Sequence, residues 1–212
     1  MVNEVGSPDA WIEVIERRAA YDGYFKIIRY RLRHRLFSGA ISPEIVREVF
    51  ERGHAAAVLP YDPARDRVVL VEQFRVGAHA AFDPDPWLIE PVAGIIEPGE
   101  RPEGVAVREA AEEAGLVITD LIPACDYYVS PGGTSETCKV FIGRADVEEA
   151  GGIHGLPEEG EDILVHVVSL DEALGWMAEG RLRVASTLVA VQWLALHRDE
   201  VQSRWQGDAS ES

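Results

Sequence analysis

Apolar and polar positions alternate strictly between residues 28 and 36. Ile28, Tyr30, Leu32, His34 and Leu36 fall on one side, Arg29, Arg31, Arg33 and Arg35 on the other. A period of two predicts a strand with one buried face. A short apolar stretch at 11–15, a turn at Tyr21-Asp22-Gly23 and a second turn at Ser38-Gly39 make the start of the chain β-rich. The four arginines read either as a solvated sheet edge that discourages aggregation or as a surface for an acidic partner subunit. The edge is the simpler reading. Further on, 55–59 and 68–73 predict strands around Tyr61-Asp62-Pro63, 76–86 a loop and 87–93 another strand. Residues 101–114 predict a helix, with Pro102 in its first turn and Gly115 just past its end. Strands at 116–119, 122–129, 138–143 and 163–169 follow, with helices near 171–178 and 186–197 and a long acidic loop at 147–162. The expected fold class is α+β. Its expected divisions are a small β-rich N-terminal subdomain over 1–54, a mixed domain over 55–205 and a disordered polar tail over 206–212.

Composition adds limits. The chain has 212 residues, nearly half of them apolar, enough for a core that needs no disulfide or structural metal. The formal net charge is −17. The first 53 residues carry nine Lys/Arg against eight Asp/Glu, a net of +1, so all of the acidic excess lies after them. So acidic a body disfavours nucleic acid backbones and anionic membranes. Cys125 and Cys138 form no CxxC pair, no signal peptide precedes them, and no apolar run reaches membrane-spanning length. A reduced, cytoplasmic protein is expected.

One segment carries chemistry. It runs Gly94, five residues, Glu100, seven residues, Arg108-Glu109, then Glu112-Glu113 and Gly115-Leu116. On a helix, Glu109, Glu112 and Glu113 are spaced i, i+3 and i+4 and share a face. Val107, Ala110, Ala111 and Ala114 are expected to pack that helix on a sheet. Three crowded carboxylates repel one another unless a cation sits among them, and Arg108, one turn from Glu112, offsets only part of the charge. A hard divalent ion suits such oxygen ligands and would bridge them to a phosphate. Gly94 would let the backbone approach metals or phosphates. Glutamates at this spacing alone are more often a solvated helix face. Seven fixed positions at these spacings, however, arise by chance on the order of one time in a million.

The segment resembles the Nudix box, the signature of the Nudix hydrolase family. Every fixed position is present, and Ala110 stands where a larger aliphatic is usual. The resemblance implies an α/β/α sandwich around a mixed sheet. It also implies hydrolysis of a nucleoside diphosphate linked to another moiety, with Mg2+, or Mn2+ in its place, as more than one ion. Glu109 and Glu113 would be the principal metal ligands, with Glu112 and the backbone carbonyl of Ala93 beside them. Arg108 and Glu100 would orient the loop and the ligands.

Features outside the box resemble the bacterial ADP-ribose pyrophosphatases. Pro131, sixteen positions after Gly115, lies in Ser-Pro-Gly-Gly-Thr-Ser-Glu at 130–136. Gly23-Tyr24-Phe25, the 33–37 run and the 50–54 run are similar to a region which that subfamily exchanges across a homodimer. The resemblance implies that Tyr24 or Phe25 stacks on adenine and that Arg47 and Arg52 reach substrate from the partner chain. Arg75, the backbone near Ile95, Ser130 and Glu136 would complete the pocket. The acidic loop at 155–162 is similar to one that supplies a late carboxylate, so Glu159 would be the general base and Glu161 a further metal contact. The expected reaction converts ADP-ribose to AMP and ribose 5-phosphate. The rival expectations are another nucleotide sugar such as GDP-mannose, a catalytically silent nucleotide-binding module, and a structural dimerisation protein built on the arginine strand.

Overall fold

A computed structural model describes residues 11–156 and 160–207. The chain divides into two compact units. One comprises Met1–Gly53 with Tyr128–Glu136, the other His54–Tyr127 with Thr137–Ser212.

The first unit is a three-stranded antiparallel sheet, β1 (Ile12–Asp22), β2 (Lys26–His34) and β3 (Ile45–Glu51), in the order β1-β2-β3. Strand β1 is longer than the apolar stretch at 11–15 suggests, because it pairs with β2 all the way from Ile12↔His34 to Asp22↔Lys26 through two register shifts. The shifts break the period-two pattern that would have marked it. Strand β2 is the central strand, not an edge. Two of its arginines meet acidic neighbours, with Arg31 Nε 2.7 Å from Glu44 and Arg33 3.6 Å from Glu13. The arginine row is therefore an inter-strand charge ladder.

The second unit holds an eight-stranded mixed sheet. Strand β4 (Ala55–Asp62) runs parallel to β9 (Thr137–Arg144) along its whole length and touches β5 (Arg67–Phe74) only at the hairpin end, Tyr61↔Val68 and Asp62↔Arg67. Beyond that point β4 and β5 diverge. The gap is filled by β6 (Trp87–Glu90), which pairs with β5, and β7 (Val92–Ile95), which pairs with β4. The single strand expected over 87–93 is thus two, separated at Pro91, which has no N–H to donate to a ladder. The expected loop at 76–86 contains the short helix α1 (Val76–Ala80). No strand forms at 116–119, where the backbone caps the preceding helix through Leu116 N–H to Ala110 C=O and then crosses to Arg144. Strands β8 (Asp120–Tyr128), β10 (Gly152–His154) and β11 (Ile163–Ser169) complete the sheet, β10 arising inside the acidic loop.

Alternation along β4 and β5 separates two cores. Ala57, Leu59, Tyr61, Val68 and Leu70 pack beneath α3 (Leu170–Ala178) and α4 (Ala185–Gly207). Ala56, Val58, Val69 and Val71 pack beneath α2 (Pro102–Ala114). Helices on both faces of a mixed sheet make the expected α/β/α sandwich. Helix α4 continues well past 197, because Val201 and Trp205 are buried in the first core and Trp205 Nε1 donates to Asp120 at 2.8 Å.

Candidate active site

Helix α2 places the box carboxylates. Its buried stripe is Val105, Ala106, Ala110 and Ala114, whereas Val107 and Ala111 face solvent, contrary to the packing role expected of them. Glu109 and Glu113 lie on the stripe side and Glu112 on its flank. Exposure of the side chains follows, at 14 % for Glu109 and 37 % for Glu112, while Glu113 as a whole is 5 % exposed. The three carboxylates are therefore two facing inward and one at the rim. Gly115 ends the helix at φ 65°, a left-handed conformation that favours glycine.

Gly94 lies inside β7, paired with Ala56. A Cβ there would sit 1.8 Å from Glu109 Oε1 and 2.3 Å from its carboxyl carbon. The glycine thus admits the Glu109 carboxylate against the strand, a more local reason than the approach of a phosphate expected from sequence. One turn on, Glu113 accepts the Ala93 N–H at 3.2 Å. Burial pushes the Glu113 carboxyl up to about 8; the Ala93 N–H opposes that shift and the nearby Glu109 adds to it. Burial also raises Glu109, against the pull of Arg108 and with the push of Glu112.

Arg108 is the counter-charge. Its Nη1 lies 2.9 Å from both Glu109 and Glu112, and its Nε is 3.6 Å from Glu100. Glu100 also accepts the Glu97 N–H at 2.9 Å, closing the Pro98-Gly99 turn that leads into α2. Arg75 lies at the mouth of the β4/β5 divergence. Its Nε donates to both oxygens of Glu90 at 3.1 and 3.0 Å, and its Nη2 to Glu90 Oε2 at 2.5 Å. Sequence reasoning missed Glu90. The available signal was a carboxylate inside an otherwise apolar strand run. Ile95 pairs with Ala55, and Glu161 accepts the Leu156 N–H at 3.1 Å. Glu159 lies outside the described residues.

The remaining candidates belong to the first unit. Tyr24 is 87 % exposed, and its ring lies 4.7 Å edge-on from Phe25. Phe25 packs edge-on against Phe50 at 5.3 Å and carries the Arg52 guanidinium 5.4 Å above its ring. Arg52 also stands 3.7 Å from the buried Glu136. Arg47 lies opposite Tyr30, and its Nη1 donates to the Val46 carbonyl at 2.7 Å. The Ser130 carbonyl accepts from Gly133 and Thr134, forming the turn of the 130–136 loop.

Whether Glu109, Glu112 and Glu113 suit a cation follows from their charge and donor chemistry. They offer carboxylate oxygens only, the donor set of a hard divalent ion. Burial first, and neighbouring carboxylates second, raise Glu113 and Glu109, and a cation placed between them would favour their charged forms. Among the described residues no three His, Cys, Asp or Glu side chains stand close enough to hold a metal as placed. Arg108 takes the position between Glu109 and Glu112 instead. The residues fit a cation in chemistry and charge, and binding one requires these side chains to shift.

Comparison with known proteins bears on this arrangement. The model of the NUDIX domain matches residues 51–188. An ADP-ribose pyrophosphatase of Escherichia coli (strain K12) is 50 % identical over 194 residues, covering 92 % of each chain. A GDP-mannose pyrophosphatase of Enterobacter sp. (strain 638) is 32 % identical over 191 residues, covering 87 % of this chain and 95 % of that one. A solved structure described as an ADP compounds hydrolase superposes with a TM-score of 0.64 at 18 % identity, over 87 % of this chain and 94 % of that one. That last likeness bears on the fold alone.

Proposed function

The chain belongs to the Nudix family, whose domain model spans more than half of it, and from that premise we propose that it hydrolyses ADP-ribose to AMP and ribose 5-phosphate with Mg2+. The observation that carries the reading is the interlock of α2 with β7: Glu109 occupies the space of the missing Gly94 side chain while Glu113 is held on the Ala93 N–H. Half of all aligned positions match an ADP-ribose pyrophosphatase, against a third for a GDP-mannose pyrophosphatase, which favours ADP-ribose as substrate. The box carboxylates are all present, which speaks against a silent binding module.

Water adds across the diphosphate bridge. One phosphorus gains the water oxygen, the bridging oxygen leaves with the other phosphate, and the water's proton passes to a base. Glu109 and Glu113 would hold the cations, with Glu112, Glu161 and the Ala93 carbonyl as further ligands. Bound there, Mg2+, or Mn2+ in its place, neutralises the diphosphate and lowers the pKa of a bound water. Arg108, anchored by Glu100, restrains Glu109 and Glu112 and lets their charge be shared. Arg75, held flat by Glu90, presents a guanidinium suited to a phosphate oxygen, and the backbone at Ile95 lies along the same strand pair as Ala93. Glu159 is our choice of base.

A homodimer is part of the proposal. Trp11, Ile12, Val14 and Ile15 are each more than a third exposed, and β1 is bare along nearly its whole length, a surface suited to a second copy. Tyr24, Phe25, Arg47 and Arg52 would then serve the partner's substrate. Among the described residues no helix is long and apolar enough to cross a membrane, and the cytoplasm is the compartment we propose.

A substrate panel tests the reading. With Mg2+ present, ADP-ribose should yield AMP and ribose 5-phosphate, and GDP-mannose should turn over at a small fraction of that rate. Absence of AMP would sink the proposal, and faster GDP-mannose turnover would favour the rival.

A further inference from the structure

The side chain of Gln73 has no role in the account so far. Val69 and Val71 of β5 face the core under α2, so the pleat puts Gln73 and Arg75 on that same face. Gln73 is 6 % exposed, and among the described residues its Nε2 is the buried side-chain nitrogen or oxygen without a hydrogen-bond partner. An unpaired amide donor in such a place is expensive, and an apolar side chain of similar size would avoid the penalty. Which acceptor is it placed for?

The strand registers narrow the choice. On the β6 side Leu88 lies opposite Gln73 and Glu90 lies diagonal to it. Both oxygens of Glu90 already accept from Arg75. On the β11 side Leu164 pairs with Glu72. The ladder ends there and β11 begins at Ile163; extended past its last pair, the same register would put Ile163 opposite Gln73 and the loop residue Glu161 on the Arg75 side. Glu161 is then diagonal to Gln73 on the same face, within reach of two long side chains. A separate sign agrees: the charge of Glu161 is felt at Arg75, Glu109 and Glu113 alike. Glu161 Oε2 is engaged by the Leu156 N–H, leaving Oε1 as the acceptor.

We infer that Gln73 is a positioning residue: its Nε2–H, unpaired in this structure, is placed to donate to Glu161 when cations are bound and so to turn that carboxylate toward Glu109 and Glu113. The inference rests on the metal role proposed for Glu161. Hydrogen bonds that orient a ligand in this way are worth about 10- to 100-fold in metal affinity.

The test is Mn2+ affinity, measured by titration with spin-resonance detection of the free ion, on protein stripped of metal. Gln73→Met keeps the side-chain length and removes the amide. It should weaken Mn2+ binding about 10-fold or more, while the thermal midpoint of the stripped protein stays level or rises. In a Glu161→Gln background the same change should weaken binding less than twofold, as pairwise coupling requires. Unchanged Mn2+ affinity in Gln73→Met, an equal loss in both backgrounds, or a wild type that binds no Mn2+ would each overturn the inference. Gln73→Leu replaces the methionine variant if that fails to fold. A wild type that binds Mn2+ but releases no AMP from ADP-ribose overturns the proposed activity, and the titration still decides the role of Gln73.

Discussion

Placing a methyl group at residue 94 separates catalysis from folding. In Gly94→Ala the new Cβ would stand 1.8 Å from Glu109 Oε1, 2.3 Å from its carboxyl carbon and 2.6 Å from its Cγ. The clash is with the far end of a flexible side chain, not with backbone, so the sheet can keep its register and Glu109 must swing away. To reach ordinary van der Waals contact its carboxylate oxygen must retreat by about 1.6 Å. Fold stability should therefore fall by only about 1–3 kcal/mol, as in other small overpacking changes. A misplacement of about 1 Å in a reacting constellation is worth about 100-fold in rate, so kcat should fall at least that far. Mg2+ saturation should also need a higher concentration. The assay pairs thermal melts with steady-state release of AMP from ADP-ribose over a range of Mg2+. Near-wild-type kcat would refute the interlock as the basis of the site. Loss of folding would refute the claim that Glu109 alone absorbs the clash.

Three further outcomes follow from named residues. The Glu113 carboxyl is raised from an ordinary 4.5 to about 8, so the folded chain holds a proton there that the unfolded chain has lost. Stability of the metal-stripped protein should therefore fall as pH rises from about 4.5 to about 8. Glu113→Gln removes this dependence, so by pH 7 the stripped variant should gain about 3 kcal/mol on wild type relative to pH 4.5 while losing activity; a stability difference flat with pH would contradict the burial argument. Glu159→Gln should cut kcat about 100-fold or more with modest loss of binding, and an almost unchanged rate would move the base to Glu158 or Glu161. If Arg52 acts on the partner's substrate, co-refolding equal amounts of Arg52→Ala and Glu109→Gln should bring the whole mixture to about a quarter of wild-type activity, since about half the dimers are hybrids with one intact site of two, whereas no recovery would place Arg52 on its own chain's site or outside it.

The sequence was most legible where several local rules agreed. Pro102, the acidic helix and Gly115 delimit α2 to within a residue, and the box spacing named its chemistry. The strands β4 and β5 of the second unit announced themselves through buried apolar runs. Legibility failed where pairing decides local form. Strand β3 alternates poorly, with Ile45 beside Val46 and Val49 beside Phe50, and it exists because β2 pairs with it from Lys26↔Glu51 to Leu32↔Ile45. The arginine row looked like an edge because its partner glutamates, Glu13 and Glu44, are distant in sequence. The helical spacing put Glu109, Glu112 and Glu113 on one face, but only the tertiary fit of α2 on β7 tells the two inward carboxylates from the outer one. The Arg75–Glu90 pair and the unpaired Gln73 amide were invisible for the same reason: each is defined by a neighbour across the sheet.

The central claim is that carboxylates packed between α2 and β7 make a cation-dependent diphosphatase site. It is tested most directly by stripping the protein of metal with chelator, supplying ADP-ribose, and following AMP and ribose 5-phosphate as Mg2+ is titrated back. The account predicts no product before Mg2+ is added, then AMP and ribose 5-phosphate in equal amounts, rising to saturation in wild type and nearly absent in Glu109→Gln. Full product release in the continued presence of chelator, or none at saturating Mg2+, would contradict it.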